Sequence, residues 1–288
     1  MDTSVKVLNN MTEKFDFNME FKNYLFDLYT NFPEGFSLSD RKDPDVCSKA
    51  LYDDLCEMFF DDDSKGKLKI TSVCNKCQNF GKGDFYTLFI DKYKYLLSSD
   101  YIGASIHWAR KAGLNYRTNL DHFRIILDHL SISRTIGGHI LFPRGGGKVT
   151  VNQARGGEKG YYDRFDLTLY AIKEWFVGNN NSKIGYAIEN YREWFELFFD
   201  DDNRKNGFEN YVEFFKLEGF IYEQNKIIDL IDSDLENNRV VFLDKEDILI
   251  ASTEEEYIRY MKNLNIIILE RTKKILLRKL QNKLNIDS

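Results

Sequence analysis

The chain has 288 residues, a formal net charge of −6, and 43% hydrophobic and 30% charged residues. This composition excludes an intrinsically disordered chain, and the length allows a substantial buried core. The acidic balance argues against broad binding to duplex nucleic acid, because such binding depends on an excess of positive charge.

No stretch of the sequence approaches the roughly 20 consecutive apolar residues that cross a bilayer. The N-terminus also lacks the basic head and apolar centre of a signal peptide. We therefore expect a cytoplasmic protein with no membrane partner.

The four cysteines are too few for a disulfide framework in a chain of this length. Cys74 and Cys77 form one CxxC pair, whereas Cys47 and Cys56 lack the spacing of a second zinc pair. Loop thiols are the favoured interpretation, with zinc binding or a redox pair as open alternatives. We assign neither a metal nor another cofactor.

In chain order, residues 1–43 form an irregular N-terminal segment that we expect to pack on the body of the protein. A main α+β domain is expected over 44–251, and a long C-terminal helix, basic at its end, over 252–288. Asp43 and Pro44 fit a helix start, because Asp is a good N-cap and Pro is favoured in the first turn.

The spacing of apolar residues predicts the remaining elements. Alternation predicts strands over 67–73, 85–90 and 239–243. Helical spacing predicts helices over 44–60, 101–112, 120–132, 166–177, 184–199 and 208–217. Ser252 and Glu255 match a capping box that opens the last helix. The predicted fold class is α+β, a mostly helical single domain with a small antiparallel sheet.

The segment from Arg134 to Thr168 is unusually rich in glycine and positive charge. It holds eight of the 18 glycines, and six Arg and Lys residues against three Asp and Glu residues. Glycine lets the backbone approach a ligand closely, and clustered Arg and Lys favour an anion. The pattern indicates an anion-binding site without naming a reaction.

Alternation within this segment predicts a β-hairpin over 138–153 that would place His139 directly across from Asn152. These two residues are the predicted catalytic pair. His139 would act as a general acid or base near neutral pH, and Asn152 would orient its ring or stabilise developing negative charge.

The predicted ligand-binding residues lie around this pair: Arg144, Arg155, Arg164, Gly145, Gly146, Gly147 and Asp166. Arg holds phosphate through two parallel hydrogen bonds, and a helix start attracts anions. Plainer interpretations stay open, namely a structural histidine, a simple glycine turn, and an ion pair between Arg164 and an aspartate. The segment is not a Walker P-loop, since Phe142 and Val149 stand where Gly and Ser or Thr are needed.

Three runs, GGHILFPR, NQARGG and DRFDLTL, resemble an uncharacterised bacterial and phage family, a domain of unknown function. The similarity extends from Lys42 to Phe215 and so covers most of the chain. The resemblance implies one continuous domain with a central polar motif, and it implies no reaction. By association it also implies a setting of phage–host conflict.

We therefore expect a protein that binds a phosphate-bearing ligand, either a nucleotide or RNA. Whether it is an enzyme stays open. An enzyme of this kind would cleave a phosphodiester, or transfer a nucleotidyl or ADP-ribosyl group, without a metal. The alternative is a noncatalytic factor of phage defence or counter-defence that binds another protein.

Overall fold

The computed structural model describes residues 70–74, 86–90, 93–199, 206–244, 251 and 253–286. Several sequence predictions lie outside these residues: the N-terminal segment 1–43, the helix over 44–60, Cys47, Cys56, Cys77 and Ser252. The division of the chain into three parts stays a prediction.

A four-stranded antiparallel sheet forms the β part of the described chain, with strand order β1-β2-β3-β4. Its strands are β1 Ile70–Cys74, β2 Tyr86–Ile90, β3 Tyr93–Tyr101 and β4 His139–Arg144. β3 pairs with β4 in a register that sets Tyr101 opposite His139. The predicted strands near 67–73 and 85–90 are confirmed where the structure describes them.

Helices make up most of the remainder. They are α1 Ile106–Lys111, α2 Leu120–Ser133, α3 Val151–Arg155, α4 Phe165–Phe176, α5 Gly185–Glu189, α6 Arg192–Glu196, α7 Gly207–Phe215 and α8 Glu254–Ile286. Two short strands, β5 Ile221–Tyr222 and β6 Lys226–Ile227, form a second antiparallel pair. The predicted mostly helical α+β fold is confirmed.

The predicted hairpin over 138–153 is wrong in its second half. β4 forms but pairs with β3, and the chain then enters α3 instead of returning as a strand. Thr150 caps this helix, because its hydroxyl accepts from the Gln153 backbone N–H at 3.1 Å and Gln153 Oε1 accepts from the Thr150 N–H at 3.0 Å. This capping box outweighs an apolar alternation that covers only Val149 and Val151.

Other boundaries differ from the prediction for similar reasons. The helix expected over 184–199 breaks at Tyr191, whose backbone leaves the helical region while its hydroxyl donates to the Gly145 carbonyl at 3.2 Å. The capping box of α8 lies one residue later than predicted, at Thr253 and Glu256. The segment 239–243 forms bridging pairs rather than a strand, with Phe242 opposite Ile228.

The long helix α8 is fixed to the sheet through Arg271. This buried guanidinium donates to the backbone carbonyls of Phe215, at 2.9 Å, and His139, at 2.7 Å. Burial lowers the pKa of Arg271 to about 9. Gly137 permits the close approach of α8, because a Cβ there would overlap the Thr272 hydroxyl.

A second set of hydrogen bonds joins α2 and α8 through His129, which is completely buried. The Ala104 backbone N–H donates to Nε2 at 2.9 Å, so the proton of the neutral ring lies on Nδ1. Nδ1 therefore donates to Asn265 Oδ1, 2.7 Å away. Burial lowers the pKa of His129 from its ordinary value of 6.5 to about 4.

The buried His129 ring predicts a loss of stability in acid. Between pH 6.5 and about 4 the unfolded chain binds a proton at His129 that the folded chain does not, so the free energy of unfolding falls as the pH is lowered. The contribution lost by pH 4 is about 3 kcal/mol. Urea unfolding across this range should show a shallower pH dependence for His129→Gln, which cannot titrate. The exposed His107→Gln is the control, and equal slopes in His129→Gln and the wild type would contradict the assignment.

Candidate ligand-binding site

An aromatic cavity of about 230 Å³ lies between α1, the loop 156–164 and the first turns of α8. Four aromatic side chains line it: Trp108, Tyr162, Tyr257 and Tyr260. The Trp108 and Tyr162 rings meet edge to face with their centroids 4.5 Å apart. Tyr257 and Tyr260 lie on one face of α8, with centroids 5.9 Å apart. The arrangement offers ring faces and edges to a flat, apolar group.

Hydrogen bonds hold the two α8 tyrosines in place. The Tyr257 hydroxyl donates to the Ser105 backbone carbonyl, and the Tyr260 hydroxyl accepts from the Phe165 backbone N–H at 3.2 Å. Burial raises the pKa of both phenols, so each keeps its proton at neutral pH. These tyrosines form a fixed, uncharged wall of the cavity.

Two charged side chains of opposite sign, Lys111 and Glu158, also line the cavity. Both residues are exposed, whereas the aromatic residues around them are buried or half-buried. The two charges therefore lie at the rim. A ligand that enters the cavity passes one cation and one carboxylate.

Arg164 lines the inner part of the cavity and belongs to a buried ion cluster. Its Nη2 lies 2.5 Å from Asp166 Oδ2 and 3.0 Å from Asp229 Oδ1. Burial alone would lower the pKa of Arg164, but the two carboxylates raise it above its ordinary value. Burial raises the pKa of Asp229, and Arg164 offsets part of that effect. Two carboxylates face one guanidinium, so this cluster offers no excess of positive charge to a phosphate.

Asp166 serves as an internal acceptor at the start of α4. Besides Arg164, its carboxylate accepts from the backbone N–H groups of Leu167, at 3.0 Å, and Leu230, at 3.1 Å. It thereby joins α4 to the chain that follows β6. The structure thus contains the ion pair between Arg164 and an aspartate that the sequence left open as a plainer interpretation.

Arg155 is also buried, and its guanidinium contacts protein groups. Nε donates to Asn152 Oδ1 at 3.0 Å, Nη1 donates to the Asp163 carbonyl at 3.1 Å, and Nη2 donates to the Tyr101 carbonyl. Asn152, predicted to orient His139, instead contacts Arg155. Arg155 does not line the cavity but lies at the base of the loop that does.

His139 is completely buried in β4 and is not among the residues that line the cavity. Its Nδ1 lies 2.9 Å from the Thr135 carbonyl, and a carbonyl can only accept, so Nδ1 carries a proton. The nearby Asp100 pairs with Ile140, the residue after His139, so its side chain lies on the opposite face of the sheet. His139 therefore does not contribute a side chain to the cavity.

The glycine turn lies apart from the cavity as well. Gly145, Gly146 and Gly147 have positive φ angles of 106°, 67° and 68°, which explains the need for glycine. Lys148 donates from Nζ to the Asn190 carbonyl at 2.7 Å and fastens the turn to the α5–α6 region. Arg144, at the end of β4, does not line the cavity either.

The structure therefore brings together one predicted residue, Arg164, with aromatic residues that the sequence did not single out as site residues. Trp108 and the Tyr257–Tyr260 pair lie far apart in the chain. The available signal was the three-residue spacing of the two tyrosines, which places them on one helical face. Among the described residues, no group of three or more His, Cys, Asp or Glu could hold a metal ion.

Comparison with known families identifies a matching family. A model described as "Family of unknown function (DUF6994)" matches residues 11–275. The chain belongs to this family. The match includes α1, the loop 156–164 and the first turns of α8, so the whole aromatic cavity lies within the DUF6994 region. No curated protein and no solved structure matches the chain. No helix within the described part of the chain is long and apolar enough to cross a membrane.

The buried cluster predicts a strong effect of Asp166→Asn. This change places an amide NH2 group where a buried carboxylate oxygen accepts hydrogen bonds from Arg164 and from a backbone N–H, so buried donors lose their acceptor and the free energy of unfolding should fall by about 3 kcal/mol. Asp121→Asn is the matched control, because Asp121 pairs with Arg124 on the surface, where ion pairs contribute little. Chemical unfolding at pH 7 measures both variants. Equal losses of stability in the two variants would show that the buried cluster contributes no more to stability than the surface ion pair.

Proposed function

We propose that this protein binds a nucleoside or mononucleotide in the aromatic cavity. The observation that carries the proposal is the cavity of about 230 Å³ that joins four aromatic side chains with Lys111 and Glu158 at its rim. Aromatic walls with a few placed polar groups are the usual make-up of small-molecule sites.

The size of the cavity supports a small ligand. Its volume of about 230 Å³ lies just below the roughly 300–1,000 Å³ of typical ligand pockets. A single base with its sugar suits such a space better than a strand of RNA. Stacking of a base on an aromatic side chain contributes about 1–3 kcal/mol, so the loss of one ring contact should give a measurable decrease in affinity.

The charges at the rim support a polar end on the ligand. Lys111 would contact a phosphate at the mouth of the cavity, and Glu158 would accept from an amino group of the base. The guanidinium groups of Arg155 and Arg164 contact internal acceptors. We therefore assign the phosphate contact to Lys111 instead.

The position of His139 favours binding over catalysis. The ring is buried, does not line the cavity and bonds to a backbone carbonyl, so nothing supports phosphodiester cleavage or group transfer by this residue. The resemblance to phage and bacterial sequences supports a place in phage–host conflict, where a nucleotide would act as a signal or an effector.

The proposal predicts binding to the four ribonucleosides or their 5′-monophosphates, measured one at a time by isothermal titration calorimetry. Trp108→Leu should weaken the affinity by about 1–3 kcal/mol, because it removes a ring face. Tyr116→Leu controls for the loss of a buried aromatic residue outside the cavity. If none of the eight compounds binds to the wild type, the noncatalytic interaction factor becomes the better account.

Lys111 provides a test of the phosphate contact. Lys111→Gln should weaken the affinity for a 5′-monophosphate by about two- to fivefold, the scale of a surface charge contact, and leave the affinity for the matching nucleoside unchanged. Arg110→Gln, also exposed on α1 but outside the cavity, should leave both unchanged. Equal effects of Lys111→Gln on nucleoside and nucleotide would place the phosphate elsewhere.

A further inference from the structure

We infer that Arg155 is a positioning residue, which holds the loop 156–164 against the aromatic cavity and thereby sets the affinity for the ligand. The inference rests on the proposed function. Arg155 does not line the cavity, so any effect on binding passes through the loop that carries Glu158 and Tyr162.

Arg155 closes the base of this loop with both its backbone and its side chain. The Arg155 carbonyl accepts from the backbone N–H groups of Tyr161, at 2.8 Å, and Asp163, at 3.2 Å. Its guanidinium also donates a hydrogen bond from Nη1 to the Asp163 carbonyl at 3.1 Å. The two ends of the loop are therefore joined at a single residue.

The guanidinium also connects the loop to the sheet and to α3. Nη2 donates to the Tyr101 carbonyl at the end of β3, and Nε donates to the Asn152 side chain on α3. Three nitrogens of one planar group thus reach three separate parts of the fold. The compact ammonium of a lysine cannot reproduce this fork.

The loop needs such a support because its backbone is unfavourable by itself. Tyr162 and Asp163 have φ angles of 53° and 63°, in the left-handed region that side chains other than glycine rarely adopt. Gly160 lies so close to α3 that a Cβ would overlap the Ala154 carbonyl oxygen. Conformations of this kind persist where surrounding contacts hold them, and the contacts of Arg155 do so here.

Tyr162 links the loop to the ligand. Its ring meets Trp108 edge to face at 4.5 Å, so the position of the loop fixes one aromatic corner of the cavity. A loop held in its bound conformation loses little freedom when the ligand enters, which raises affinity without a new contact. Arg155 therefore acts on recognition at a distance.

The test compares Arg155→Lys with Arg192→Lys, which also alters a guanidinium with several hydrogen bonds, here to Glu189 and Glu196, in a residue that does not line the cavity. Hydrogen exchange in the folded protein should be faster at the Tyr161 and Asp163 amides in Arg155→Lys alone. The affinity for the ribonucleoside 5′-monophosphates, each titrated separately, should fall by about tenfold in that variant because the ordered loop is lost. Arg192→Lys should keep the wild-type affinity.

A gentler variant covers the case in which Arg155→Lys does not fold. Asn152→Ala removes one acceptor of Arg155 and should give a smaller change in the same direction. Asn210→Ala, which removes a bond to the Phe198 carbonyl, is its control. Wild-type affinity in Arg155→Lys or, if that fails to fold, in Asn152→Ala would overturn the inference, as would an equal loss in the matched control. A wild type that binds none of the monophosphates or nucleosides would overturn the proposed function itself.

Discussion

The shape of the cavity depends on the buried cluster of Arg164, Asp166 and Asp229. Removing three charged groups from water is unfavourable unless they pair closely, and here one guanidinium bridges two carboxylates that also accept backbone N–H groups. The cluster joins the start of α4 to the chain after β6. Each of these segments supplies a residue that lines the cavity, Arg164 and Ile231, so the cluster fixes its inner wall.

Two of the positive charges in the glycine-rich segment have a structural role. Arg155 and Arg164 look in sequence like groups available to an anion, yet each contacts acceptors of the protein itself. In the proposed function, their effect on a ligand is therefore geometric. They set the shape of the loop and of the wall, whereas the proposed function assigns the direct contacts to the aromatic rings and to two charges at the rim.

Long periodic patterns could be predicted from the sequence, because their signal does not depend on distant residues. The helices predicted over 120–132 and 166–177 match α2 and α4 to within a residue at each end. The alternation after β4 is too short to prevail over the cap at Thr150. No local pattern could show that Arg155 reaches Tyr101, or that Trp108 meets the first turns of α8, since these contacts arise from tertiary packing.

The helix α8 makes three kinds of contact. Tyr257 and Tyr260 line the cavity, Asn265 accepts from the His129 ring, and Arg271 donates to the backbone carbonyl of His139 in β4. Ribosomes make the amino end of a chain first, and domains generally fold as units. Until this helix has been made, α2 lacks its hydrogen bond to Asn265 and the sheet lacks its hydrogen bond to Arg271. The aromatic cavity also lacks the wall formed by Tyr257 and Tyr260. The aromatic cavity is thus complete only after α8 has been made.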